Sequence, residues 1–140
     1  MNCILVIINY DDDCWSMEND TIHKTHATLV KFSPNTDFRN VDCSIRISNP
    51  WTSNEQNGFG VFLPRTMDCS SQLIIDCLPD KSYSMQLTCH TSDTQLEVPC
   101  NSMNLIFRRN VRYQEYRKST FVQVVALAKG NDEINRYSTE

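Results

Sequence analysis

Hydrophobic residues recur along this chain in short runs with a period of two, each closed by turn-forming residues. Thr28-Leu29-Val30-Lys31-Phe32 runs into the turn cluster Ser33-Pro34-Asn35, and Ser44-Ile45-Arg46-Ile47-Ser48 alternates strictly, with Ile45 and Ile47 on one face. Residues 59–63, 72–75, 84–87, 104–107 and 120–126 continue the series. Seven or eight strands at this spacing predict an all-β protein, an antiparallel β-sandwich of jelly-roll type. The one stretch with helical character, residues 111–118, is too short to change that class. No internal repeat and no linker rich in glycine or proline divides the chain.

At 140 residues, with 40% hydrophobic and 21% charged, the chain fits one domain that can bury a real core. No apolar run approaches the ~20 residues that a membrane-spanning helix requires. The net charge of -4 argues against general nucleic-acid binding. Seven cysteines, Cys3, Cys14, Cys43, Cys69, Cys77, Cys89 and Cys100, change the picture most. The closest two are Cys69 and Cys77, so no C-x-x-C pair of the kind metal sites use is present. Wide spacing reads as disulfides formed in an oxidising compartment, with one thiol left over. The sequon Asn19-Asp20-Thr21 agrees with a secreted, extracellular protein and makes Asn19 a glycosylation candidate.

The N-terminus leaves two readings open. Ile4 to Ile8 is apolar, but no basic residue precedes it and it is shorter than a signal-peptide core of about 7–15 residues. Residues 1–13 therefore form either a first strand or the remnant of a leader, followed by a domain over 14–129 and a polar tail over 130–140.

Three segments, taken in order, resemble the extracellular CUB domain. Phe32-Ser33-Pro34-Asn35-Thr36-Asp37-Phe38 leading to Cys43-Ser44-Ile45-Arg46-Ile47 is similar to the family's opening, with Ile45 in place of its tryptophan. Cys69-Ser70-Ser71-Gln72-Leu73-Ile74-Ile75-Asp76-Cys77 resembles the strand after its third cysteine, and Cys89 falls where its fourth stands. Cys100-Asn101-Ser102-Met103-Asn104-Leu105-Ile106-Phe107 is similar to a later strand of the family, and residues 120–126 fit its closing strand. Ile74-Ile75-Asp76-Cys77-Leu78-Pro79-Asp80-Lys81-Ser82 resembles a turn of the spermadhesins, single-domain CUB proteins of seminal plasma.

The resemblance implies a non-enzymatic binding module. It implies disulfides Cys14–Cys43 and Cys69–Cys89, closing loops of about 30 and 21 residues. Cys77 takes the place of the family's turn glycine, and Cys100 stands at the edge of a later strand; these two are expected to pair as an extra staple. Cys3 is then free, or joins two copies into a dimer. Many CUB domains hold Ca²⁺ through an aspartate two residues after the third cysteine; Ser71 stands there, so no metal and no cofactor is expected. His23-x-x-His26 lacks a second ligand pair for zinc, and His90 lacks recognisable Ser/Asp partners for catalysis.

Charge is distributed unevenly. Arg108, Arg109, Arg112, Arg117 and Lys118 gather five basic residues into a short stretch with Tyr113 and Tyr116 between them. Arginine forks match sulfate and phosphate oxygens, and tyrosine rings can stack on sugar faces. Arg108, Arg109, Arg112, Tyr113, Arg117 and Lys118 are thus the candidate ligand-binding set. The spermadhesin resemblance implies as partners sulfated glycans, zona or cell-surface glycoproteins, or anionic phospholipid, at a sperm or other extracellular surface. A protein-interaction module auxiliary to a secreted protease or receptor is the rival reading. Arg108 and Arg109 are neighbours on a strand, so one should face inward and one outward.

Overall fold

A computed structural model describes residues 3–18, 22–34, 36, 42–51, 57–64, 67, 69–91, 95–109 and 118–128. They form ten strands and one helix: β1 (Cys3–Ile8), α1 (Asp11–Glu18), β2 (Ile22–Lys24), β3 (Ala27–Phe32), β4 (Cys43–Ser48), β5 (Gly58–Phe62), β6 (Ser71–Cys77), β7 (Ser84–Leu87), β8 (Gln95–Val98), β9 (Ser102–Arg109) and β10 (Thr120–Leu127). Two five-stranded sheets result, in the orders β1-β3-β10-β5-β8 and β2-β4-β9-β6-β7. The protein is a β-sandwich, antiparallel except where β1 joins β3 and β2 joins β4 in parallel.

The alternation in the sequence decides which side chains meet. On β9, Met103, Leu105 and Phe107 are buried while the residues between them are partly or wholly exposed. On β4, Ile45 and Ile47 do the same, and on β3, Val30 and Phe32. Phe32 from one sheet stacks on Phe107 from the other, with ring centroids 4.1 Å apart and planes 5° from parallel. That pair joins the two sheets through the core.

Asn49 closes one end of the sandwich. Its Nδ2 donates to the Gly58 carbonyl at 2.8 Å and to the Leu127 carbonyl at 3.0 Å, and its Oδ1 accepts from the Trp51 N–H at 2.8 Å. One buried amide thus ties the exit of β4 to the start of β5 and the end of β10. Gly58 is required beside it, because a Cβ there would lie 2.6 Å from the Val98 carbonyl oxygen of β8.

Three disulfides pin the frame: Cys14–Cys43, Cys69–Cys89 and Cys77–Cys100, with Cys3 free and exposed. The first fastens α1 to β4. The others join the entrance of β6 to the exit of β7, and the exit of β6 to the approach to β9.

Two features depart from the sequence reading. The helix lies at Asp11–Glu18, where no helix was expected. Its three leading aspartates suit the positive end of the helix dipole. The Asp13 carboxylate also reaches back to accept from the N–H groups of Tyr10 at 3.0 Å and Asn9 at 2.9 Å, half of a capping box. The expected helical character at 111–118 falls on residues outside those described, apart from Lys118. Strands β2 and β8 also go beyond the expected set; each is short and lies at a sheet edge. Of the two readings of residues 1–13, residues 3–8 form a strand of the first sheet.

Candidate anion-binding site

Where β9 runs out, its alternation places two neighbouring arginines in opposite environments. Arg109 continues the inward series of Met103, Leu105 and Phe107 and is 6% exposed. Arg108 points outward, where its Nε meets the Asp42 carboxylate at 2.7 Å in an exposed ion pair. Such a pair contributes little to stability, because water and salt screen it.

Arg109 is a different matter, since a buried guanidinium must find hydrogen-bond acceptors to offset its lost hydration. Nε donates to Thr36 Oγ1 at 3.1 Å, and Nη1 donates to Ser71 Oγ at 2.8 Å. Nη2 donates to the carbonyls of Ser33 at 3.1 Å and Lys118 at 3.3 Å. The guanidinium carbon lies 5.1 Å from the centre of the Phe107 ring, in cation–π range. The acceptors are themselves held: Thr36 Oγ1 donates to the Ser33 carbonyl at 2.8 Å, and Ser33 donates through its N–H to Ile8 and its hydroxyl to Asn9. One side chain therefore joins the ends of β1, β3, β6, β9 and β10.

Two consequences follow for the candidate residues. Arg109 leaves the ligand-binding set, since its donors are turned into the sandwich and engaged there. It instead binds the backbone on the far side of residues 110–117, because Lys118 supplies the carbonyl. Arg109 and Lys118, which flank that stretch in sequence, are thus joined by this hydrogen bond. Arg112, Tyr113 and Arg117 lie outside the described residues, as does Asn19. Lys118 is exposed, as Arg108 is.

Ser71, at the position where the CUB resemblance places a calcium-binding aspartate, is buried and faces Arg109. A divalent cation there would meet a positive guanidinium instead of a carboxylate. Among the described residues, one group has metal-ligating atoms close together, Cys69, Cys89 and His90. Two of its three ligand atoms are the sulfurs of a disulfide and offer no thiolate. The side chains of His23 and Trp15 lie outside the described set, whereas His26 meets Trp51 edge-on at 4.8 Å. Burial lowers the His26 pKa below its ordinary 6.5.

The Arg109 cradle was the part that sequence reasoning missed. The signal was nonetheless present in the parity of Met103, Leu105, Phe107 and Arg109, which marks Arg109 and not Arg108 as the inward arginine. Nothing in the sequence tells that Ser33, Thr36, Ser71 and Lys118 converge on it, because they come from three separate segments.

No protein-family model matches the chain, and no curated protein matches it. Among solved structures the chain is similar to the crystal structure of Aeromonas hydrophila PliG, a periplasmic lysozyme inhibitor of g-type lysozyme. Identity is 9%, the match covers 89% of this chain and 99% of that one, and the TM-score is 0.39.

Proposed function

We propose that this protein is a secreted, non-enzymatic binding protein of the CUB and spermadhesin type. In this reading the β9–β10 end binds sulfated glycan or phospholipid headgroups on an extracellular surface. The observation that carries the reading is the division of labour between adjacent arginines. Arg109 is engaged inside the sandwich, where it binds the Lys118 carbonyl, whereas the side chains of Arg108 and Lys118 stand exposed. Arg112, Tyr113 and Arg117 add donors and a ring suited to sulfate, phosphate and sugar. Three disulfides support secretion, since such bonds persist in oxidising compartments.

The rival reading, a protein-interaction module auxiliary to a secreted protease or receptor, draws support from the Arg108–Asp42 pair, which makes part of this surface mixed in charge. Binding to a panel of sulfated and unsulfated glycans, and to vesicles with and without anionic phospholipid, separates the readings. Sulfate- or lipid-dependent binding by the isolated chain is the expected result. No binding to either, with a larger protein retained from the native fluid, would transfer the conclusion to the rival.

A further inference from the structure

Four strands end the two sheets, and three of them are protected from pairing with another chain. β2 is three residues long and ends in Lys24, β7 is a four-residue strand carrying Ser84 and Gln86, and β8 carries Glu97 at mid-strand. Short length and exposed polar or charged side chains are the ordinary defences of a sheet edge. β1 has neither. It runs six residues, Cys-Ile-Leu-Val-Ile-Ile, with no charge, no proline and no glycine. β3 occupies one side of it, and among the described residues no strand occupies the other.

Its outer face is apolar too. Val6 and Ile8 point into the core, while Cys3, Leu5 and Ile7 point away, and Leu5 lies beside Leu29 of β3. The exposed large hydrophobic residues of the described chain are Leu5 at 61%, Ile7 at 45% and Tyr10 at 61%, so all three lie on β1 or just beyond it. Exposed apolar residues scattered singly need no explanation, but a group on an open edge does.

We infer that β1 is a homodimer interface, in which the β1 strands of two copies pair antiparallel about a two-fold axis at Leu5. Each copy then presents its free N–H and C=O groups to the other, and the two five-stranded sheets continue as one. The surface is self-complementary, as a two-fold interface must be. Cys3 and Ile7 then stand opposite one another, Ile4 opposite Val6, and Leu5 opposite Leu5, so every pair among residues 3–7 is apolar. Leu5, Ile7 and Tyr10 leave roughly 300 Å² of side-chain surface per copy, in the range of patches that mark interaction sites. With the backbone edge, two copies bury on the order of 1,000 Å² together, about the least that a specific interface needs. The dimer is therefore reversible and concentration-dependent. It does not depend on a Cys3–Cys3 bond, since this register keeps the two thiols apart. The inference stands apart from the anion site, which lies on other residues.

Sedimentation equilibrium over a wide concentration range tests it, using the wild type, Cys3→Ser and Leu5→Lys. The wild type and Cys3→Ser are expected to show the same monomer–dimer equilibrium. Leu5→Lys sets two ammonium groups opposite each other across the axis, and its dimer is expected to weaken by about tenfold or more. At concentrations where both are monomeric its thermal midpoint should stay that of the wild type, because Leu5 is exposed. Cys3→Ser/Leu5→Cys should in turn oxidise to a covalent dimer across the axis. A wild type that is monomeric throughout, a Cys3→Ser variant that alone loses the dimer, or a folded Leu5→Lys that dimerises undiminished would overturn the inference.

Discussion

Arg109 carries more of the structure than any other polar residue described. It satisfies carbonyls and hydroxyls from three segments, and its planar fork spans them in a way that a single ammonium cannot. Arg109→Met should therefore cost about 2–4 kcal/mol, because buried acceptors lose their donor, and Arg109→Lys should recover only part of that. Chemical denaturation of the three proteins measures it; equal stability of all three would show that the cradle contributes nothing. The same guanidinium bears on calcium. With Ser71 held by Arg109, the thermal midpoint should not move between millimolar Ca²⁺ and excess chelator. A rise of several degrees with Ca²⁺, Mg²⁺ being inert, would mean that other oxygens form a site. His26 sets a pH dependence of definite sign. Its pKa is lowered by burial, so the unfolded chain binds the proton more readily. The neutral imidazole contributes stability above the unfolded value of 6.5, and that contribution is lost as pH falls through the lower folded value. His26→Gln should flatten the decline in stability from pH 7 towards pH 5, as measured by thermal unfolding at each pH.

Among the elements, those read most directly from the sequence are the ones with strict alternation. β3, β4, β9 and β10 each have one face in the core, and a one-residue slip would expose that whole face. Period two therefore survives in their sequences. α1 was hidden because its eight residues, DDDCWSME, show no apolar period, and the bridge that fastens it, from Cys14 to Cys43, is a tertiary bond. β2 and β8 offer three and four residues, too few for a period to show. Two disulfide pairs, Cys14–Cys43 and Cys69–Cys89, follow from the family resemblance, and the third, Cys77–Cys100, from cysteines outside the family pattern; all three are present. The outward arginine was foreseeable from parity, whereas the cradle under it depends on the meeting of distant segments. β5 supplies a test at this scale. Gly58→Ala would drive a methyl into the Val98 carbonyl of β8, and since backbone cannot step aside cheaply, a loss of about 1–3 kcal/mol is expected. An unchanged denaturation midpoint would show that β5 and β8 are not held at this spacing.

At the scale of the whole molecule, charge and covalent frame work together. The net charge of -4 disfavours contact with polyanions, so any retention on heparin must come from a local field. Arg108 and Lys118 stand exposed at the two ends of the segment that holds Arg112 and Arg117, and the three disulfides keep the supporting strands in place. The measurement that tests this most directly is the salt at which the protein leaves a heparin column, wild type against Arg117→Glu/Lys118→Glu. Lys118 is exposed, so reversing its charge should leave the fold intact, and the thermal midpoint checks this for the double variant. The wild type is expected to be retained at low ionic strength and released as salt screens the contact, over a Debye length of about 8 Å at physiological strength. The folded double variant is expected to pass through unretained. Elution of both at the same salt would contradict an anion-binding role for this end of the sandwich.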